Sequence, residues 1–145
     1  MIYRPPGANG KNFSKILEKV KEILEKVKTP EPTVVITGDF NMEGVNGKRK
    51  KTLGATREEQ NQFKRLNEQM DEFGLVQIIE EPTRGGNTLD LIYTNETSMI
   101  IQVENIKSTL SDHDRIEVTT NIKTKNEEEI IENNNENDKG MKKLN

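Results

Sequence analysis

Three short stretches put groups capable of acid, base or metal chemistry at turn and strand positions: "GDFN" at 38–41, "TLDLIYT" at 88–94 and "SDHD" at 111–114. Together they offer Asp39, Asn41, Asp90, Asp112 and His113, the last being the one histidine of the chain. Carboxylates hold hard cations through oxygen, a carboxamide donates to phosphate oxygens, and an imidazole beside a carboxylate is oriented for proton exchange. Such a set suits a hard cation, a phosphate and a water molecule, the three components of metal-assisted phosphodiester hydrolysis. Each stretch alone has a plainer reading. A Gly-Asp pair commonly forms a turn whose carboxylate accepts backbone N–H groups, and Ser111 would cap a turn beside a surface histidine. Asp90 would fit the solvent face of an edge strand. The three stretches in combination favour the chemistry.

The elements that must position these residues follow from periodicity. Phe13, Ile16, Leu17, Val20, Ile23, Leu24 and Val27 recur at helical spacing, so an amphipathic helix is expected over 12–28, stopped by "TPEP". "TVVIT" at 33–37 is short, β-branched and apolar on both faces, as a strand covered on both sides would be, and it delivers Asp39 and Asn41 just beyond its end. A glycine-rich loop is expected over 42–55, carrying the basic run Lys48–Lys51. That run is short: a solvated loop, a contact with a nucleic-acid backbone and a nuclear-localisation signal all remain open. Thr56 and Glu59 stand at capping-box spacing before a stripe of Phe63, Leu66, Met70 and Phe73, and Gly74 ends this second helix.

Beyond Gly74 the period changes to two, and "LVQII", "TLDLIYT", "MIIQVENI" and "RIEVTTNI" read as strands separated by turn formers. Asp90 then faces away from Leu89, Leu91 and Tyr93, on a side where a buried carboxylate would need a partner. Helix, strand, helix and several strands make an α/β layered domain with a mixed sheet. Its expected extent is residues 1–122, followed by a disordered polar tail over 123–145 that has little to bury.

Composition sets limits. The apolar fraction is 30%, the charged fraction 32% and the formal charge −3, so any hold on nucleic acid must come from a local patch rather than from net charge. No cysteine is present, which excludes disulfides, thiolate catalysis and cysteine zinc sites and fits a reducing compartment. No stretch has the length of a membrane span. An intracellular place is expected, nuclear if Lys48–Lys51 serves as a signal.

"YRPPG" at 3–7, "GDFN" at 38–41, "TRGGNTLDLIYTN" at 83–95 and "SDH" at 111–113 stand in the order and rough spacing of the endonuclease/exonuclease/phosphatase superfamily. More narrowly, residues 2–122 resemble the endonuclease domains of non-LTR retrotransposons. The resemblance implies that Asp39 orients or deprotonates the attacking water and that Asn41 hydrogen-bonds the scissile phosphate. Tyr3 would present its hydroxyl to that phosphate or to the leaving group. Asp112 would help hold the metal, His113 would contact a phosphate oxygen, and Asp90 would fix the His113 ring. Magnesium or manganese is the implied cofactor, DNA the implied substrate, and a reverse transcriptase an implied partner. Arg84 stands in the loop entering the Asp90 strand, where a place near substrate and an exposed turn both fit.

The resemblance also implies two sheets packed face to face with helices outside, of which the matched stretches cover the second part. The family's early asparagine and its metal-binding glutamate match no position here. The expectation is therefore an impaired endonuclease with weakly held magnesium, an N-terminal half encoded elsewhere, and apolar strand surface left exposed. Alternatives are a catalytically silent remnant that binds nucleic acid and a phosphatase of the same superfamily, so whether the chain is an enzyme stays open.

Overall fold

The computed structural model describes residues 1–27, 32–46, 51–52 and 55–121. In chain order the elements are strand β1 (Ile2–Tyr3), helix α1 (Gly10–Leu24), strands β2 (Val35–Asp39), β3 (Val45–Asn46) and β4 (Lys51–Thr52), and helix α2 (Arg57–Glu72). Strands β5 (Val76–Gln77) and β6 (Asp90–Thr94), a short 3-10 turn at Thr97–Met99, and strands β7 (Ile100–Ile106) and β8 (Arg115–Thr120) follow.

Both helices form for reasons visible in their own residues. Asn9 caps α1 by accepting from the Asn12 N–H at 3.0 Å, and Phe13, Leu17, Val20 and Leu24 make its buried stripe. The helix is shorter than the apolar pattern over 12–28 implies. After Leu24 the backbone tightens, with Lys26 N–H bonding Ile23 O and Val27 N–H bonding Leu24 O, and Ile23 and Val27 stay exposed. Helix α2 begins with the expected capping box, in which Glu59 N–H donates to Thr56 Oγ1 and the Glu59 carboxylate accepts from Thr56 N–H. It ends where Gly74 turns into the left-handed region (φ +67°), letting Leu75 N–H reach back to Met70 O at 2.9 Å.

Strands β1, β2, β6 and β5 lie side by side in that order; β1 runs parallel to β2 and the other neighbours are antiparallel. The sheet is mixed, as an α/β layered domain requires. One of its faces meets the helices. Leu91 and Tyr93 from β6 join Phe13, Leu17, Val20, Phe63, Leu66 and Met70 in the main core, with Phe40 set edge-on to Tyr93 at 6.4 Å between ring centroids. Each large side chain buried there contributes about 2 kcal/mol, so this face carries most of the stabilisation. Burial also pushes the Tyr93 phenol above its usual range, helped by the Asp71 charge, and its hydroxyl donates to Asn67 Oδ1 at 3.1 Å.

The opposite face presents Val35, Thr37, Ile92 and Thr94. The β7–β8 hairpin lies over part of it: Ile100, Val118 and Thr120 line one small apolar cavity together with those four residues. Val35 and Val76, 52% and 43% exposed, mark apolar surface that the hairpin leaves uncovered.

Three further features depart from the sequence-based expectations. The 42–55 stretch, expected to be a loop, contains a short antiparallel ladder between β3 and β4. Strand β1 was not expected, because it is two residues long and runs straight into "RPP". Strand β2 continues through Asp39 instead of ending before it, since Asp39 is paired on both sides, with Tyr3 and with Asp90. The stretches 47–50 and 122–145, with most of the basic run and all of the expected tail, lie outside the described residues. Among the described residues no helix is long and apolar enough to cross a membrane.

Candidate active site

Register alone brings three of the expected residues together. Tyr3 pairs with Asp39 and Asp39 with Asp90, so β1, β2 and β6 carry the three side by side on one face at one end of the sheet. This is the face away from the helices. The close approach of β1 depends on Gly38, where an added Cβ would meet the Ile2 carbonyl oxygen at 2.3 Å. Tyr3 itself is 60% exposed.

His113 arrives from the loop between β7 and β8 and completes the group. Its Nδ1 lies 2.9 Å from Asp90 Oδ2 and its Nε2 lies 4.0 Å from Asp39 Oδ2. The first distance is a hydrogen bond, which fixes the ring and sets the proton on Nδ1 toward Asp90. The second is too long for one, and it leaves Nε2 and the Asp39 carboxylate facing a common point. All three side chains are about one quarter exposed, accessible yet held.

The backbone around them explains the hold. Thr83, fully buried, accepts through Oγ1 from the N–H groups of Leu89 and Asp90, which pins the entry to β6. Its carbonyl accepts from Asp114 N–H at 2.8 Å, tying the histidine loop to the same residue. Ser111 Oγ accepts from His113 N–H at 3.1 Å, as a turn-capping serine should. The Lys107 ammonium, 2.6 Å from Asp114, holds the Asp114 carboxyl below its usual range and anchors the far side of the loop.

Asn41 supports the Asp39 carboxylate. Its backbone N–H donates to Asp39 Oδ1 at 2.9 Å, and its Nδ2 donates to Asp39 Oδ2 at 2.8 Å and to Arg4 O at 3.0 Å. Reaching back in this way places Asn41 at φ +43°, a left-handed conformation that asparagine tolerates better than most residues. Both amide hydrogens are thus committed within the protein, and Asn41 is almost fully buried. It stands beside the site with its amide turned to Asp39, where the resemblance implied a hydrogen bond to phosphate.

Asp112 also stands apart from its expected place. Its carboxylate pairs with Arg84 Nη2 at 2.5 Å and is two-thirds exposed. Among the described residues, the group whose possible ligand atoms all lie within 4.8 Å of one another is Asp39, Asp90 and His113, without Asp112.

One residue that sequence reasoning left without a role is central. Arg4 is 1% exposed and donates to Gln62 Oε1, Phe40 O, Asn41 O and Ala8 O, with its guanidinium 6.0 Å from the centre of the Phe13 ring. It gathers the turn after β2 and sets Asn41 against Asp39. Desolvation lowers its pKa, and the nearby Glu59 and Glu58 charges work against that shift. The signal was present in "YRPPG", but arginine is so commonly exposed that burial is not inferred from sequence.

The donor set can be tested against a divalent cation. Two carboxylates within reach of one point fit magnesium or manganese, which take oxygen ligands and complete their shells with water and substrate phosphate. Each carboxylate oxygen has two lone pairs, so the bonds from Asn41 and His113 leave Asp39 and Asp90 able to bind a cation. No match was found among curated proteins. A family model described as endonuclease-reverse transcriptase matches residues 1–117, a span that includes Tyr3, Asp39, Asn41, Asp90, Asp112 and His113. With four-fifths of its length matched, the chain belongs to the endonuclease-reverse transcriptase family.

Proposed function

We propose that the domain hydrolyses phosphodiester bonds in DNA, acting as a metal-dependent endonuclease of the retrotransposon type. The observation that carries this reading is the line Asp90–His113–Asp39, with one hydrogen bond at 2.9 Å and an open gap of 4.0 Å. A water lying in that gap would contact Nε2 and the Asp39 carboxylate together.

In this reading Asp39 accepts a proton from the attacking water and aims it at phosphorus, its carboxylate held in place by Asn41. His113, carrying a proton on each ring nitrogen in this step, donates through Nε2 to a phosphate oxygen that gains charge in the transition state, while Asp90 accepts from Nδ1 and keeps the ring in that orientation. Tyr3, in register with Asp39 and exposed, presents its hydroxyl to the same phosphate or to the leaving oxygen. Asp39 and Asp90 would hold a magnesium or manganese ion, which when bound supplies positive charge at the phosphate and lowers the pKa of water. Asp112 would join them only by leaving Arg84. With its two carboxylates already shared with Asn41 and His113, the site would hold magnesium weakly and turn over slowly at low magnesium.

Incubation with supercoiled plasmid at low salt tests the proposal. Nicking that requires magnesium or manganese, stops with a chelator and disappears in Asp39→Ala is the expected result. Equal nicking with and without chelator would contradict it.

A further inference from the structure

Resting on the phosphodiesterase reading above, a second role emerges from the turn next to the site. Arg84 and Asn87 close a tight turn over Gly85 and Gly86, both in the left-handed region. Arg84 N–H donates to Asn87 O at 3.0 Å, and Asn87 N–H returns to Arg84 O at 2.8 Å. The turn is braced at its base, where Asn87 Oδ1 accepts from Gly44 N–H at 2.9 Å and the Thr83 carbonyl accepts from Asp114 N–H. The Arg84 backbone is therefore fixed, while its side chain is 42% exposed and reaches Asp112, the residue before His113.

Charge balance gives this contact its meaning. The site presents Asp39 and Asp90 with Asp112 close by in sequence to His113, a surrounding that repels a phosphate. Arg4 is buried and bound to carbonyls, and Lys107 is held by the nearly buried Asp114. Arg84 and Arg115 are each in an ion pair exposed on both sides, which costs little to break, and of the two it is Arg84 whose partner is the residue next to His113. A phosphate offers the planar guanidinium the same paired oxygens that a carboxylate does.

We infer that Arg84 is a phosphate-binding residue of this site and that Asp112 is its latch. In the free protein Asp112 keeps the guanidinium beside the site, and a DNA phosphate takes its place. Asp112 thus competes with the substrate for Arg84, and removing the competitor strengthens binding.

Binding of the full chain to a fluorescent DNA duplex, measured by anisotropy in chelator over a salt series, tests this without any turnover. Arg84→Ala should weaken binding about tenfold and lower the salt slope by about one, the loss of one phosphate contact. Arg84→Lys should keep the slope and lose only part of the affinity, because a point charge replaces a fork. Asp112→Asn should tighten binding about threefold, and in an Arg84→Ala background it should change nothing. Binding indifferent to Arg84 would overturn the inference alone, as would tightening by Asp112→Asn in the absence of Arg84, which would mean simple charge repulsion. Weakening by both single variants to the same degree would also overturn it, by showing that the pair only braces its loops. A wild-type chain that fails to bind the duplex at low salt would overturn the DNA reading itself along with this one.

Discussion

Asp39 and Asp90 stand directly opposite each other across the β2–β6 pair, two carboxylates at the same register position. Like charges so placed destabilise a sheet. Each is compensated by a different donor: Asn41 binds Asp39 through its backbone and side-chain N–H groups, and His113 binds Asp90 at 2.9 Å. The arrangement makes sense as a site that tolerates charge repulsion in exchange for chemistry.

If Asp90 acts through His113, the two behave as a unit. Asp90→Asn should lower the nicking rate by about a hundredfold or more, in the range seen when an orienting carboxylate is lost. His113→Ala should cost at least as much, and at saturating metal, where the lost Asp90 ligand matters least, the double variant should be no slower than His113→Ala. Multiplying effects at saturating metal would show that Asp90 does more than orient the ring and help hold the ion. Rates from single-turnover nicking decide between the two.

Asn41 combines a conformational and a hydrogen-bonding duty, and two substitutions separate them. Asn41→Ala should lower stability by about 1–2 kcal/mol, since alanine is strained at φ +43° and Arg4 O loses a donor. Asn41→Gly relieves the strain and should recover part of that loss in chemical denaturation, yet nicking should stay as low as with alanine because Asp39 Oδ2 still lacks its amide donor.

Arg4 should be among the most sensitive positions for stability. Arg4→Ala removes donors from Phe40 O, Asn41 O and Ala8 O inside the protein, and a loss of about 3 kcal/mol or more is expected. Arg4→Lys should rescue little, because an ammonium cannot span the oxygens that the guanidinium fork reaches. Urea unfolding of the three proteins measures this.

Gly38→Ala tests the placement of Tyr3. The new methyl would meet the Ile2 carbonyl oxygen at 2.3 Å, so β1 must move from β2 and carry Tyr3 away from Asp39. Thermal unfolding should shift down, and the Tyr3–Asp39 register should be lost in amide exchange, with Arg4 N–H, now bonded to Asp39 O, exchanging faster.

What was legible in the sequence follows from how far each signal reaches. Helix α2 was readable to its ends because Thr56, Glu59 and Gly74 are local chemistry. That Asp90 needs a partner if buried was readable from its place in a strand, while His113 as that partner came only from the family resemblance. Strand β1 was hidden, since two residues carry no period and its pairing depends on Gly38 far along the chain. The burial of Arg4 and the inward turn of the Asn41 amide were hidden for a related reason: each depends on contacts with residues remote in sequence that no local pattern encodes. The engagement of Asp112 by Arg84 belongs to the same class.

In the proposed mechanism Asp39 and His113 act on one phosphate. The most direct measurement is the nicking rate of supercoiled plasmid at low salt and several millimolar magnesium for four proteins: wild type, Asp39→Ala, His113→Ala and the double variant, each checked for folding by circular dichroism. Metal-dependent nicking by the wild type and a common background rate for the other three, unchanged by added metal, is the expected result. Metal-dependent nicking that persists in the folded double variant would contradict it.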